Sequence, residues 1–288
     1  MLTSYFKVGT FCFSIQSEEP LPIPETLRHF TISGEGAYTC YPYRLGFCKK
    51  IDVPQETPLA QRYNFRVYPE DDGEFRLLGF PDLESPYALC CEASSHTEIR
   101  FAEDRRALLV HESIFCSLLS LERHMLRRGA LILHCAYTRF HGVALLFSAP
   151  SGTGKSTQAG LWEKYRSGET VNGDRALLRK AGNRWLACGW PICGSSGICL
   201  AEDTPIGAIV MLSQAGENRV HTLDTGEAFR RLLPQIMLNR WDPAFVSRAA
   251  DLLEDLCRQV PVLHLECTIS EEAVSVLEAR LPADFQLH

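Results

Sequence analysis

The stretch Ala149-Pro150-Ser151-Gly152-Thr153-Gly154-Lys155-Ser156 is the part of this chain whose residue types and spacing are most able to do chemistry. A small residue, four intervening positions and then Gly-Lys-Ser is the spacing of a phosphate-binding loop, with Ala149 standing where the pattern usually has its first glycine. Gly152 and Gly154 let the backbone curl so that successive N–H groups point at the oxygens of a polyphosphate, with Pro150, Ser151 and Thr153 completing the cradle. Lys155 then bridges the β and γ phosphates, Ser156 offers its hydroxyl to Mg²⁺, and Thr157 lines the α-phosphate side. The bland alternative is a glycine turn with a surface lysine.

A phosphate loop alone says only nucleotide, so the reaction must be chosen elsewhere. Asn172-Gly173-Asp174-Arg175 follows about twenty residues later, and a carboxylate at Asp174 can hold Mg²⁺ or accept a proton from an attacking hydroxyl. Asn-Gly-Asp is also an ordinary turn. Weaker candidates have structural readings beside their functional ones. His134 is a site histidine or a satisfied core histidine, and Arg175 binds phosphate or simply pairs with Asp174. Residues 191–197 approach a substrate or make a plain small-residue turn. Arg230, Arg231, Arg240 and Arg248 either line a solvated helix face or supply one cation that closes over the γ-phosphate.

The elements that must position these residues follow from periodicity. Residues 142–147 form a nearly all-apolar run, the pattern of a strand buried on both faces. That run feeds the glycine loop, and residues 158–165 then read as a helix, so strand, loop and helix come in the required order. An antiparallel partner is expected over 130–137. Further strands are expected over 170–171, 176–178, 185–187, 197–200, 206–212, 219–223 and 260–266, and helices over 226–239, 243–258 and 270–280, the last capped by Ser270. Residues 112–128 repeat apolar side chains at helical spacing and predict one helix dividing the chain. Upstream, short alternating segments at 5–15, 63–68, 74–79, 98–101 and 107–110 predict a β-rich region, with Asp71-Asp72-Gly73 as a hairpin turn. The expected division is a β-rich region over 1–110, a linking helix over 111–129 and an α/β domain over 130–288.

Composition bounds the partners. The chain has 288 residues, 45% hydrophobic and 22% charged, which is the balance of a folded globular protein. With 29 Lys and Arg against 35 Asp and Glu, the net charge of −6 gives no global positive field to hold nucleic acid or an anionic membrane. No apolar run approaches the roughly 20 residues of a membrane span, and residues 1–17 lack the features of an export signal. A cytoplasmic location follows as an expectation, and the twelve cysteines are expected as thiols, since none are spaced C-x-x-C.

Leu133-His134 running through Gly142 into the loop, Gly-x-Gly-Lys-Ser, and a later strand ending in Gly173-Asp174 together resemble the C-terminal kinase domain of HPr kinase/phosphorylase. The Gly-Thr-Gly-Lys-Ser-Thr run at 152–157 is similar also to ATP-dependent phosphoenolpyruvate carboxykinase. The resemblance covers residues 130 to 280 and none of the first 110. It implies an α/β P-loop kinase-like C-terminal domain of the HPr kinase and carboxykinase type, Mg-ATP as the nucleotide, and Asp174 as the base or metal ligand. The chain departs from the bifunctional enzymes in having Gly168 and Glu169 near their histidine position and a lone Asp174 after Gly173. It also has Pro191 to Gly197 where they carry a Glu-x-Arg-Gly segment. The reading is therefore transfer of the ATP γ-phosphoryl group to a hydroxyl, Ser or Thr of a small protein or peptide. Lys155 and Asp174 are its catalytic residues and Ser156 with Asp174 its metal ligands. The alternative is a catalytically silent ATP-binding regulator or peptide-maturation accessory protein, which the missing histidine and second acid favour. Oligomeric state stays open.

Overall fold

The computed structural model describes residues 1–34, 38–62, 64–70, 73–80 and 86–281. The chain is a mixed α/β protein with two large sheets, and it divides into two compact units, Met1–Leu121 and Glu122–His288.

The first unit holds strands β1 (Leu2–Val8), β2 (Phe11–Ser17), β3 (Tyr41–Cys48), β4 (Ala60–Gln61), β5 (Phe65–Glu70), β6 (Gly73–Leu78), β7 (Ala88–Glu92) and β8 (Thr97–Ala102), with short helices α1 (Glu25–Arg28) and α2 (Glu112–Ser117). They form one eight-stranded sheet in the order β1-β2-β3-β8-β7-β6-β5-β4. The run expected at 5–15 is a hairpin rather than one strand. Gly9, at φ 56°, turns the chain, and Val8 pairs with Phe11. Glu70 pairs with Gly73 across the β5–β6 hairpin, while the expected turn residues Asp71 and Asp72 lie outside the described residues. Residues 107–110, expected as a strand, belong to a 3₁₀ helix, Glu103–Val110, in which only Leu109 is buried. Ala-Leu-Leu-Val does not alternate, so it offers no single face to a sheet.

The single helix expected over 112–128 is two, α2 and α3 (Leu121–Arg127). Leu118, Leu119 and Leu121 are all buried, and near-consecutive positions cannot share one helix face. The chain breaks between the helices at Ser120, whose φ of 44° cannot continue a right-handed helix.

The second unit continues with β9 (Ala130–Phe140), β10 (Val143–Ser148), α4 (Lys155–Arg166), β11 (Glu169–Asn172), β12 (Arg175–Ala181), β13 (Arg184–Cys188), β14 (Asp203–Gln214), β15 (Arg219–Thr222), α5 (Thr225–Leu232), α6 (Pro243–Gln259), β16 (Val262–Cys267) and α7 (Glu271–Glu278). β9 and β14 are long enough to serve two neighbours in succession. The first half of β9 pairs with β12 and its second half with β10, while β14 pairs first with β13 and then, in parallel, with β10 and β16. β10 is thus flanked by β9 and β14. Its side chains alternate between two cores: Ala144 and Leu146 pack on the side of α5 and α6, and Leu145 and Phe147 on the side of α4 and α7. A strand covered on both faces has no use for polar alternation, which is why the run reads as continuously apolar.

The helix expected over 226–239 ends early. Asp224 caps α5 by accepting the Glu227 N–H at 2.8 Å, but Pro234 sits in a 3₁₀ turn, Leu233–Gln235, and a proline cannot continue the backbone ladder. Ile236 then bridges to Leu133 on β9. Residues 197–200 make only a bridge, Cys199 to Asn172, because Gly194 at φ 58° and Gly197 at φ 67° coil the chain just before it. Ser270 caps α7 as the spacing predicts, and all twelve cysteines stand as thiols.

Candidate functional site

β10 ends at Ser148, whose hydroxyl donates to the His134 carbonyl on β9 at 2.8 Å. The chain then turns through residues 149–154 into α4. Gly152 and Gly154 have φ of 81° and 111°, in the range that disfavours side chains, and nothing stands within 4 Å of where a Cβ would lie. The backbone angle, not crowding, is what requires glycine here. No side chain caps α4, so the N–H groups of its first turn and the positive end of its dipole face the space enclosed by the loop.

Lys155 is 8% exposed. Its ammonium donates to the carbonyls of Ala149 at 3.0 Å and Pro150 at 3.3 Å, so the side chain folds back over the mouth of the loop. Burial pushes its pKa down, and the charge of Asp174 offsets part of that fall. A desolvated ammonium with only carbonyl partners gains by meeting an anion. Ser156 and Thr157 are exposed on the first turn beside it.

Asp174 lies in the turn between β11 and β12. The fully buried Asn172 fixes that turn: its Oδ1 accepts the N–H groups of Asp174 and Arg175, both at 2.9 Å. Its Nδ2 donates to the carbonyls of Trp190 at 2.8 Å and Ile192 at 3.1 Å. The Asp174 Oδ2 accepts from Arg175 Nε at 3.0 Å, the ion pair that the sequence left open against phosphate binding. Its Oδ1 is 3.6 Å from His134 Nε2. His134 stands directly opposite Arg175 in the β9–β12 register. Burial and the Lys155 charge push the His134 pKa down, against a raising effect from Asp174, so the ring is neutral near pH 7.

Residues 191–197 close over this carboxylate. A Cβ on Gly194 would stand 3.2 Å from the Asp174 Cγ, and one on Gly173 would stand 2.3 Å from the Ser196 hydroxyl. Both glycines therefore permit the two turns to touch. Two glutamines complete the surroundings. Gln235 lies close enough to His134 to act on its ring, and Gln214, at the end of β14, points its amide at the carbonyls of Gly152 and Thr153, 3.5 Å from each. Neither stands out in the sequence. Gln235 is hidden in what reads as helix, and Gln214 follows an apolar strand with no motif around it. Two of the four late arginines are engaged elsewhere, Arg231 with Glu227 and Arg248 with the Arg127 carbonyl.

Lys155, Asp174 and His134 thus gather just beyond the end of β10, beside the middle of β9. Among the described residues no group of three or more His, Cys, Asp or Glu side chains is set to hold a metal ion. The oxygen donors present, the Ser156 hydroxyl and the Asp174 carboxylate, suit Mg²⁺, which usually takes one or two protein oxygens and completes its shell with phosphate and water. Among the described residues no helix is long and apolar enough to cross a membrane.

No protein-family model matches the sequence, and no curated protein matches it. The solved structure of the Hpr(Ser) kinase/phosphatase from Coxiella burnetii is similar over 51% of this chain and 94% of its own, at 10% identity and a TM-score of 0.32.

Proposed function

We propose that this chain is a P-loop kinase of the HPr kinase and carboxykinase type, transferring the γ-phosphoryl group of Mg-ATP to a hydroxyl, Ser or Thr of a small protein or peptide. The kinase part is assigned to residues 130–288, with 1–110 as a β-rich partner region and 111–129 as the link. One observation carries the reading. The buried Lys155 lies at the mouth of a loop shaped by Gly152 and Gly154, and Asp174 is near enough for its negative charge to act on the ammonium.

In this mechanism residues 150–157 hold the phosphate chain, through backbone N–H groups and the end of α4. Lys155 leaves its two carbonyl partners for the β and γ oxygens and offsets the charge that spreads over the transferring group. Asp174 orients the acceptor hydroxyl and takes its proton as the oxygen meets phosphorus, with ADP leaving in line. Ser156 and Asp174 would hold Mg²⁺, which supplies charge neutralisation at the phosphate oxygens. The neutral His134, 3.6 Å from Asp174, adds no competing charge beside it.

The Arg175 contact with Asp174 favours a second reading, an ATP-binding regulator, because a carboxylate oxygen already held by a guanidinium is less free to turn toward an acceptor hydroxyl. Label transfer separates the two. With γ-labelled ATP, Mg²⁺ and a mixture of Ser- and Thr-bearing peptides, a kinase moves label to peptide and Asp174→Asn abolishes the transfer. A regulator binds the nucleotide and leaves the peptides unlabelled.

A further inference from the structure

At the end of β10 opposite the glycine loop, the second unit holds a cleft of about 580 Å³. Its walls are the β9–β10 turn at His141 and Gly142, Asn183 in the β12–β13 turn with Arg184 at the start of β13, the Pro205–Gly207 segment of β14, and the passage from α6 to β16. β10 has six residues, so about 20 Å of strand separates the cleft from the loop.

The chemistry of the walls is one-sided. None of the twelve lining residues is Asp or Glu, although the chain as a whole carries a net charge of −6. Arg184, His141 and Asn183 lie in the lining, and among the described residues none of the three has a side-chain hydrogen bond or ion pair. Trp185, also in the wall and 3% exposed, has an indole N–H with no acceptor. A carboxylate that the wall does reach, Asp255, is already bonded to Lys180 at 2.5 Å and to Gln259 at 2.6 Å. A concave site with several donors, a guanidinium and no acid selects a ligand that brings acceptors and negative charge. Guanidinium with amide and imidazole donors suits the oxygens of a carboxylate or phosphate group.

We propose that this cleft is a binding site for a small anionic molecule, recognised through a carboxylate or phosphate group by Arg184, His141 and Asn183, and separate from the nucleotide loop. The proposal does not depend on the kinase reading.

Citrate and inorganic phosphate serve as probes, titrated calorimetrically into full-length Lys155→Ala, in which the glycine loop has lost its cation. The companions are Lys155→Ala/Arg184→Gln and Lys155→Ala/His141→Asn. Arg184 is exposed at the first position of β13, and Asn tolerates the left-handed φ of 46° at position 141, so folding is checked by circular dichroism rather than assumed. Saturable binding of either probe in Lys155→Ala, weakened at least tenfold by Arg184→Gln and several-fold by His141→Asn, is expected. Binding of citrate alone assigns the group as carboxylate, and of phosphate alone as phosphate. No saturable binding of either probe at tens of millimolar overturns the proposal, as does binding that both companion variants leave unchanged.

Discussion

Asn172 accepts the backbone N–H of Asp174 at 2.9 Å through its side-chain oxygen, while its amide donates to the Trp190 carbonyl at 2.8 Å. One buried side chain therefore ties the turn that carries the acid to the segment that leads into residues 191–197. Asn172→Ala removes all four of its hydrogen bonds at once. At about 1–3 kcal/mol for each buried group left without a partner, a loss of roughly 2–4 kcal/mol is expected after local relaxation. Urea unfolding of the variant measures it, and a loss under about 0.5 kcal/mol, the scatter of an ordinary surface change, would show that the turn holds itself.

Gly194 backs onto the same carboxylate. An alanine there puts its methyl carbon 3.2 Å from the Asp174 Cγ, at a φ of 58° that costs about 1–2 kcal/mol for a side chain. Asp174 must move while the glycine loop is untouched. Gly194→Ala is expected to keep Mg-ATP affinity within about twofold and to cut phosphoryl transfer at least tenfold, since small misplacements of a positioning group are costly. Unchanged transfer would remove Asp174 from the chemistry.

Acid sensitivity follows from a histidine far from this carboxylate in sequence. Burial, reinforced by the charges of Arg127 and Arg128, pushes the pKa of His124 down to about 3. The folded state keeps the ring neutral while the unfolded chain takes up a proton below about 6.5. The stability held above that pH is lost as pH falls from there toward 3, at up to about 1.4 kcal/mol per unit. His264, whose pKa is also lowered by burial, adds to the same slope. Urea midpoints should fall between pH 7.5 and 5.5, and less steeply in His124→Gln. An equal slope in both proteins would assign the acid sensitivity to other groups.

Much of the second unit was legible because its signals are local. The apolar run of β10, the glycines of the loop, the Ser270 cap and the Gly-Asp turn each depend on a few neighbouring residues. The elements misread are those decided by distant packing or by one dihedral. Ser120 breaks a helix whose periodicity looks continuous, and Pro234 turns the end of another into a 3₁₀ segment that brings Gln235 to His134. No spacing rule announces that contact. The closeness of residues 191–197 to Asp174 was likewise invisible, since it rests on what two glycines allow across a gap of some twenty residues. Asn172 was visible as a turn residue, but its four bonds come from the fold.

A phosphate loop at residues 150–157 must bind a nucleotide through Lys155. Isothermal titration of Mg-ATP into the full chain and into Lys155→Ala, with circular dichroism to confirm that both are folded, measures this directly. Saturable binding to the native chain, weakened by tenfold or more in the variant, is the predicted result. No binding to the native chain, or equal binding to both, would contradict it.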